Sequence, residues 1–246
     1  MKVHSFAHKL ILLPIYYILH HNLLFGYLHK TFFKIFKYKR YKFNLKIDNL
    51  PISHRASFLF KTYEYNDRKI CEKNLSNKNK CIIIGGGIGF IPTIVYHKTK
   101  NNVLIFEINK KIIKNLENNL LINNCKFKVL NKNLNLSNKR KSLFYLNNNF
   151  LETSGYLKTR DKISVDNINF KKIKNILTFN TLIIDGEGVE EYYIQNLAKF
   201  KNIKYILFEL HNNLLSKEKV EKIFYTLRLN KFILSDRCFN SYYFKK

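Results

Sequence analysis

The 246-residue chain carries 44 Lys and Arg against 17 Asp and Glu, a formal net charge of +27, and its length admits one α/β domain with an extension rather than two such domains. The lysines travel with heavy use of Asn, Ile, Phe and Tyr, the bias of an AT-rich genome, so the charge is discounted as a nucleic-acid footprint, although its sign still favours phosphate-bearing or anionic surfaces. Four cysteines, at 71, 81, 125 and 238, contain no C-x-x-C pair, which excludes a disulfide scaffold and a zinc-finger set and points to reduced thiols in a cytoplasmic protein.

The chain opens with an extension, residues 1 to about 75. From Leu10 to Leu28 it is mostly apolar, but Pro14, His20, His21, Asn22 and Gly26 interrupt the run, making a poor secretory signal and a marginal transmembrane helix. Lys30, Lys34 and Lys37 then recur at helical spacing beside Phe32, Phe33 and Phe36, with no acid before Asp48. Two readings stay open: residues 1–46 lie peripherally on an anionic membrane, at its inner face, or they form helices covering a sheet edge with solvated lysines. Pro51 and the polar cluster Ser76–Lys80 mark turns ahead of the second region, 76–246.

That region begins with an apolar strand, Cys81–Ile84, entering a glycine turn at Gly85, Gly86, Gly87 and Gly89, followed by a helix over Ile88–His97. A second strand, Val103–Phe106, ends on Glu107. A helix from Asn109 carries Ile112, Ile113, Leu116, Leu120 and Leu121 at i, i+3/i+4 spacing, and Phe127–Leu130 is a third strand. Asn131 to Asp161 shows no regular period and is expected to be a variable connection shaping the substrate pocket. Order returns with strands Ile163–Val165 and Thr181–Asp185, a helix from Val189 to about Phe200, a strand Tyr205–Leu210, a helix Lys217–Leu229, and a closing hairpin of Phe232–Leu234 with Tyr242–Phe244. Alternating strands and helices of these lengths predict an α/β fold with a largely parallel sheet covered on both faces.

The glycine turn names a chemistry. Glycines at 85, 87 and 89 remove the Cβ atoms that would hold a ligand off the backbone and permit positive φ. Glu107, about 20 residues on, stands where a carboxylate accepts both hydrogen bonds of a ribose diol. The expected ligand is an adenosine cofactor, and this pattern is shared by nicotinamide and S-adenosylmethionine folds.

Three blocks line up in order: the glycine turn with Phe106-Glu107-Ile108-Asn109; Leu182-Ile183-Ile184-Asp185-Gly186-Glu187-Gly188-Val189-Glu190; and Ile206-Leu207-Phe208-Glu209-Leu210-His211. Together they resemble the FkbM family of S-adenosylmethionine-dependent methyltransferases over roughly residues 80 to 246. That family has an acidic-glycine signature resembling I-D-x-E-G-x-E and a later strand ending E-x-H. The resemblance implies a Rossmann-like class I methyltransferase fold, with a seven-stranded sheet and a C-terminal antiparallel hairpin behind a helical N-terminal extension. It also implies S-adenosyl-L-methionine as cofactor and methylation of a hydroxyl on a sugar, polysaccharide or secondary metabolite. Two positions depart from the pattern. The acid that usually opens the glycine motif falls on Ile83, and the family's mid-turn Asn is Gly87.

Asp185, Glu187 and His211 are the catalytic candidates. In a chain with 17 acids, Asp185, Glu187 and Glu190 within six residues form an unusual concentration, with Gly186 and Gly188 letting the turn present them to a polyol. The plainer alternative is that Asp185 and Glu187 cap the following helix while Glu190 complements its dipole. His211 suits a general base near neutral pH, oriented by Glu209. A metal site of Asp185, Glu187 and His211 is one further alternative, although no metal is expected. Asp166 either lines a pocket or caps a turn, and Asn109 is expected to start its helix. Competing classes are an inactive scaffold of the same fold, suggested by Ile83, and a nicotinamide-dependent oxidoreductase, in which the acidic-glycine block has no role. A nucleic-acid methyltransferase lacks the Asn/Asp-Pro-Pro-Tyr signature.

Overall fold

The computed structural model describes residues 23–46, 50, 52–136, 139–146, 153–154, 162–173, 178–186 and 188–246. Most of the Leu10–Leu28 run, the tract 147–149 and Glu187 lie outside the described residues. The chain divides into two compact units, Met1–Tyr65 and Asn66–Lys246.

In the first unit, helix α1 (Leu23–Phe32) is followed by a hairpin of β1 (Ile35–Tyr38) and β2 (Tyr41–Asn44), then helix α2 (Ile52–Leu59). The lysine spacing over 30–37 predicted helix throughout, and the structure corrects this, because the helix stops at Phe32. Phe36 pairs with Phe43 across the antiparallel ladder and both are buried. Alternation in Ile-Phe-Lys-Tyr and Tyr-Lys-Phe-Asn puts one aromatic of each strand inward, so a period of two defeats the apparent helical period. Phe36 and Phe58 pack with ring centroids 5.2 Å apart, and Phe58 meets Tyr63 at 4.3 Å.

Helix α3 (Tyr65–Asn74) begins at the boundary, and the second unit is built on a seven-stranded sheet in the order β12-β13-β11-β10-β3-β4-β5. Its strands are β3 (Cys81–Ile84), β4 (Val103–Phe106), β5 (Phe127–Leu130), β10 (Thr181–Ile184), β11 (Tyr205–Glu209), β12 (Ile233–Cys238) and β13 (Ser241–Lys245). β5, β4, β3, β10 and β11 are mutually parallel, and β13 pairs antiparallel with both β11 and β12. The parallel core with its antiparallel C-terminal hairpin is the Rossmann-like class I methyltransferase fold.

All four residues of β3, β4 and β10 are buried, which is why these strands read as unbroken apolar runs. Ile82, Leu104, Leu182 and Ile206 share one core with Tyr193 and Ile194 of α6 (Glu190–Gln195) and with Ile223 and Leu227 of α7 (Lys217–Leu229). The residues between them in sequence, such as Ile83, Ile105 and Ile183, are equally buried and point to the other side, where α4 (Phe90–Thr99) and α5 (Ile113–Ile122) pack. Each such buried side chain contributes roughly 1.5–3 kcal/mol of transfer free energy.

Residues 131–161, expected to be irregular, supply strands instead. β6 (Asn133–Asn135), β7 (Lys141–Leu146) and β8 (Thr153–Ser154) join β9 (Lys162–Asn169) in a four-stranded sheet, β6-β9-β7-β8. Its ladder pairs residues far apart in sequence, such as Lys141 with Asp166, and most of its side chains are exposed or half-exposed, so little apolar alternation marks it. Asp166 is an exposed member of β9 rather than a turn cap. Tyr193 Oη donates to the Leu134 carbonyl at 2.9 Å, and Tyr192 Oη accepts from the Leu136 amide at 2.9 Å, tying this insertion to α6.

Candidate active site

The carboxyl ends of β3, β4 and β10 lie side by side, and backbone bonds carry their ladders one residue further. The Gly85 amide donates to the Phe106 carbonyl at 2.9 Å, the Asp185 amide to Ile84 at 2.9 Å, and the Glu107 amide to Leu130 at 3.1 Å. Gly85, Glu107 and Asp185 therefore sit together on the rim where open α/β sheets take their ligands.

Gly85 has φ of 90°, and a Cβ there would lie 1.9 Å from the Asp185 carbonyl oxygen. Only glycine fits, because the obstruction is backbone. Gly87 and Gly89 also have positive φ, 51° and 89°. Gly89 is the residue before α4, so the helix starts at Phe90 rather than Ile88. Asn119 of α5, buried, donates to the Ile88 carbonyl at 2.9 Å and pins the turn from below.

Glu107 is buried against this turn. Its Oε2 accepts from the Gly86 and Gly87 amides at 2.9 and 3.2 Å, and its Oε1 from the Asn109 amide at 2.7 Å. Burial pushes its carboxyl above the usual range, and the amides of Asn109, Gly86, Gly87 and Ile108 pull against that shift. Glu107 thus clasps the glycine turn, a role the reading of it as a ribose ligand alone did not contain. The signal was available in principle, since a carboxylate one strand away from bare amides is an acceptor among donors. Asn109 starts its helical segment as expected, its Oδ1 accepting from the Lys111 amide at 3.1 Å. Ile83 is fully buried in the middle of β3, in register with Ile105 and Ile183.

A second group lies on the adjacent strands. Ile184 of β10 pairs with Phe208 of β11, and Asp185 and Glu209 follow them. With His211 they form a cluster whose ligand-capable atoms lie within 4.8 Å of one another. The orientation of His211 differs from expectation. Its Nδ1 bonds Oε1 of Glu190, whereas Glu209 Oε2 stands 3.9 Å from Nε2. Glu190, expected to complement a helix dipole, is instead the buried group that orients the imidazole, at 0% side-chain exposure. Its place as the final acid of the acidic-glycine block was the one sequence signal for it. Glu209 Oε1 accepts from Asn240 Nδ2 at 2.6 Å. Glu187 falls outside the described residues, between Gly186 and Gly188.

The residues present fit an adenosine cofactor at the turn: three glycines with positive φ and an adjoining carboxylate. No protein-family model matches the chain, and no curated protein matches it by sequence. Among solved structures it is similar to the ribosomal protein L11 methylase of Lactobacillus delbrueckii subsp. bulgaricus, at 11% identity and TM-score 0.46, covering 72% of this chain and 74% of that one. It is similar to P. horikoshii TYW2 in complex with MeSAdo, at 10% identity and TM-score 0.47, covering 85% and 68%. An uncharacterized protein from Listeria monocytogenes serotype 4b matches at 9% identity and TM-score 0.46, covering 72% of this chain and 66%, just under two thirds, of that chain.

Proposed function

We propose that this chain is an S-adenosyl-L-methionine-dependent methyltransferase of the FkbM type that methylates a hydroxyl of a sugar, polysaccharide or secondary metabolite. The observation that carries the reading is the placement of two unlike sites on one sheet rim. The glycine turn with Glu107 lies at the ends of β3 and β4, and the Asp185, Glu209 and His211 cluster at the ends of β10 and β11. Residues 76–246 are the methyltransferase domain in this reading, with 1–75 as its extension.

Gly85, Gly86, Gly87 and Gly89 give the cofactor access to main chain. Glu107 holds that turn in shape and would offer its carboxylate to the ribose hydroxyls of a bound cofactor. S-adenosyl-L-methionine supplies an electrophilic methyl group on a sulfonium. Asp185 and His211, with Glu209 beside them, stand on the acceptor side, and Glu187 is the third candidate of the catalytic set. With the cofactor bound, this set would align the acceptor hydroxyl and take up its proton as the methyl group passes from sulfur to oxygen.

Calorimetry with S-adenosylmethionine, S-adenosylhomocysteine and NADH tests the cofactor. Micromolar binding of the first two supports the reading and opens a screen of sugar acceptors. Binding of NADH alone moves the chain to the oxidoreductases, and no binding overturns the enzyme reading in favour of an inactive scaffold, for which the missing motif acid at the buried Ile83 speaks.

The extension supports peripheral contact of a cytoplasmic protein with an anionic membrane face. Phe32 and Phe33 are 71% and 46% exposed beside exposed Lys30, Lys34 and Lys37. Among the described residues no helix is long and apolar enough to cross a membrane. Cosedimentation with phosphatidylglycerol but not phosphatidylcholine vesicles is the expected result.

A further inference from the structure

We infer that Asp185, Glu209 and His211 hold a divalent cation on the acceptor side of the rim, with Glu190 as the residue that positions His211. This deepens the acceptor site of the proposed function, but it rests on side-chain geometry and does not require the cofactor to be S-adenosylmethionine.

The span of the cluster suits an ion. One donor atom from each residue lies within 4.8 Å of the others. Ligands at ~2.0–2.3 Å from a common metal stand roughly 3–4.5 Å apart, so small rotations close the set.

The surroundings are those of metal ligands. A ligating histidine commonly gives its other ring nitrogen to a carboxylate, which fixes the tautomer and aims the free lone pair at the metal. Here Glu190 takes Nδ1 of His211, and Nε2 is the nitrogen on the side of Glu209 Oε2, 3.9 Å away. Glu209 has its own support. Asn240 donates to its Oε1 at 2.6 Å and in turn accepts from Asn66 Nδ2 at 2.9 Å. His211 and Glu209 are thus held from behind.

Charge points the same way. Glu190 is fully buried, and its Oε2 has no hydrogen-bond partner among the described residues. A chain with only 17 acids has brought Asp185, Glu190 and Glu209 around one imidazole. Carboxylates gathered in a partly buried site repel one another unless a cation is shared between them. One imidazole with two carboxylates is a donor set that Mn²⁺ accepts readily, as it tolerates nitrogen while preferring oxygen. Three protein ligands leave coordination positions for water and an acceptor oxygen. A hydroxyl bound there would lose its proton more easily, as metal-bound water does, and with an ion in place the part of His211 in the catalytic set would be that of ligand, leaving the proton to the carboxylates.

The test is titration of the full-length protein with Mn²⁺, without nucleotide, following free Mn²⁺ by electron paramagnetic resonance. The expected result is one Mn²⁺ per chain, with affinity reduced at least ~100-fold in Asp185→Asn and Glu209→Gln and about 10- to 100-fold in Glu190→Gln. Circular dichroism identifies any variant that fails to fold. For that case, pulsed resonance on the wild-type complex reads the ligand directly, and coupling to one imidazole nitrogen is expected. Absence of stoichiometric binding, equal binding by folded variants, or no imidazole coupling overturns the inference. Failure of S-adenosylmethionine binding with the Mn²⁺ site intact overturns the proposed function and leaves the cation site standing.

Discussion

Glu190 and His211, separated by 21 residues, meet through Oε1 and Nδ1 across the gap between α6 and the end of β11. The carboxylate is wholly buried and the imidazole nearly so. A buried acid with a single imidazole partner commits the local fold to both residues, because neither side chain is solvated alone.

His211→Ala is therefore expected to destabilise the second unit by about 3–5 kcal/mol, leaving Glu190 buried without its partner. The double substitution with Glu190→Leu recovers part of that loss. Urea denaturation of the two single variants and the double variant measures the coupling; simple additivity contradicts the pairing.

Replacement of Glu107 by Ala removes the acceptor for the Gly86, Gly87 and Asn109 amides. At about 1–3 kcal/mol per buried donor left without a partner, a loss of roughly 3–5 kcal/mol is expected once water or local shifts relieve part of it. Denaturation midpoints read this before any ligand is added. A Glu107→Ala protein as stable as wild type would show that the clasp contributes nothing to the turn.

Adjacent glycines of the turn differ in kind. Gly85→Ala forces a positive φ on alanine and drives Cβ into the Asp185 carbonyl, whereas Gly86→Ala meets only side-chain atoms of Leu116 and Ile105 at 2.7 and 2.8 Å. Gly85→Ala is expected to cost at least about 2 kcal/mol more than Gly86→Ala. Equal melting temperatures for the two variants would refute the close approach of the strands.

In the first unit, burial and then the nearby Arg55 guanidinium push His29 down from 6.5 to about 4. The unfolded chain binds a proton below pH 6.5 that the folded unit refuses, so stability is full above that pH and is lost as pH falls towards 4. The loss is on the order of 2–3 kcal/mol over that window. His29→Gln abolishes this slope if the assignment holds, and thermal melts of both proteins across the window decide it.

Cys71, Cys81 and Cys125 are buried, and burial pushes the Cys81 thiol up to about 12 and Cys125 to about 11. Cys238 is part-exposed, its pKa also raised by burial. With an aromatic disulfide reagent at mildly alkaline pH, the native protein is expected to release about one equivalent of thiolate, slowly and from Cys238, and four in denaturant. Fast release of more than one contradicts the packing of the β3 and α5 region.

What the sequence showed follows how much each element depends on its own residues. β3, β4 and β10 are buried on both faces and announce themselves as Cys-Ile-Ile-Ile, Val-Leu-Ile-Phe and Thr-Leu-Ile-Ile. Helix α7 keeps the bounds read from its amphipathic period because Ser216 caps it and Ile223 and Leu227 mark its inner face. Phe36 and Phe43 carried less information, since four-residue strands offer too few positions to separate a period of two from a lysine spacing that mimics a helix. β7 and β9 find each other across residues whose side chains are largely solvent-facing. At the site, Asp185, Glu209 and His211 were legible because each stands at or just beyond the end of an apolar strand. The partner of His211 was not, because Glu209, two residues away in sequence, looked closer than Glu190, which only the packing of α6 beside β11 brings into reach.

Helix α6 is six residues long, and its polar contacts to the site and to the insertion come from its first four. Glu190 grips His211, while Tyr192 and Tyr193 fasten β6 and the segment after it. A pull on the insertion is delivered through two phenol hydroxyls to the turn of helix that aims the imidazole. Lengthening or reshaping that insertion therefore retunes the geometry around His211 as well as the walls beside it, so the shape of what is admitted and the alignment of what reacts are inherited together.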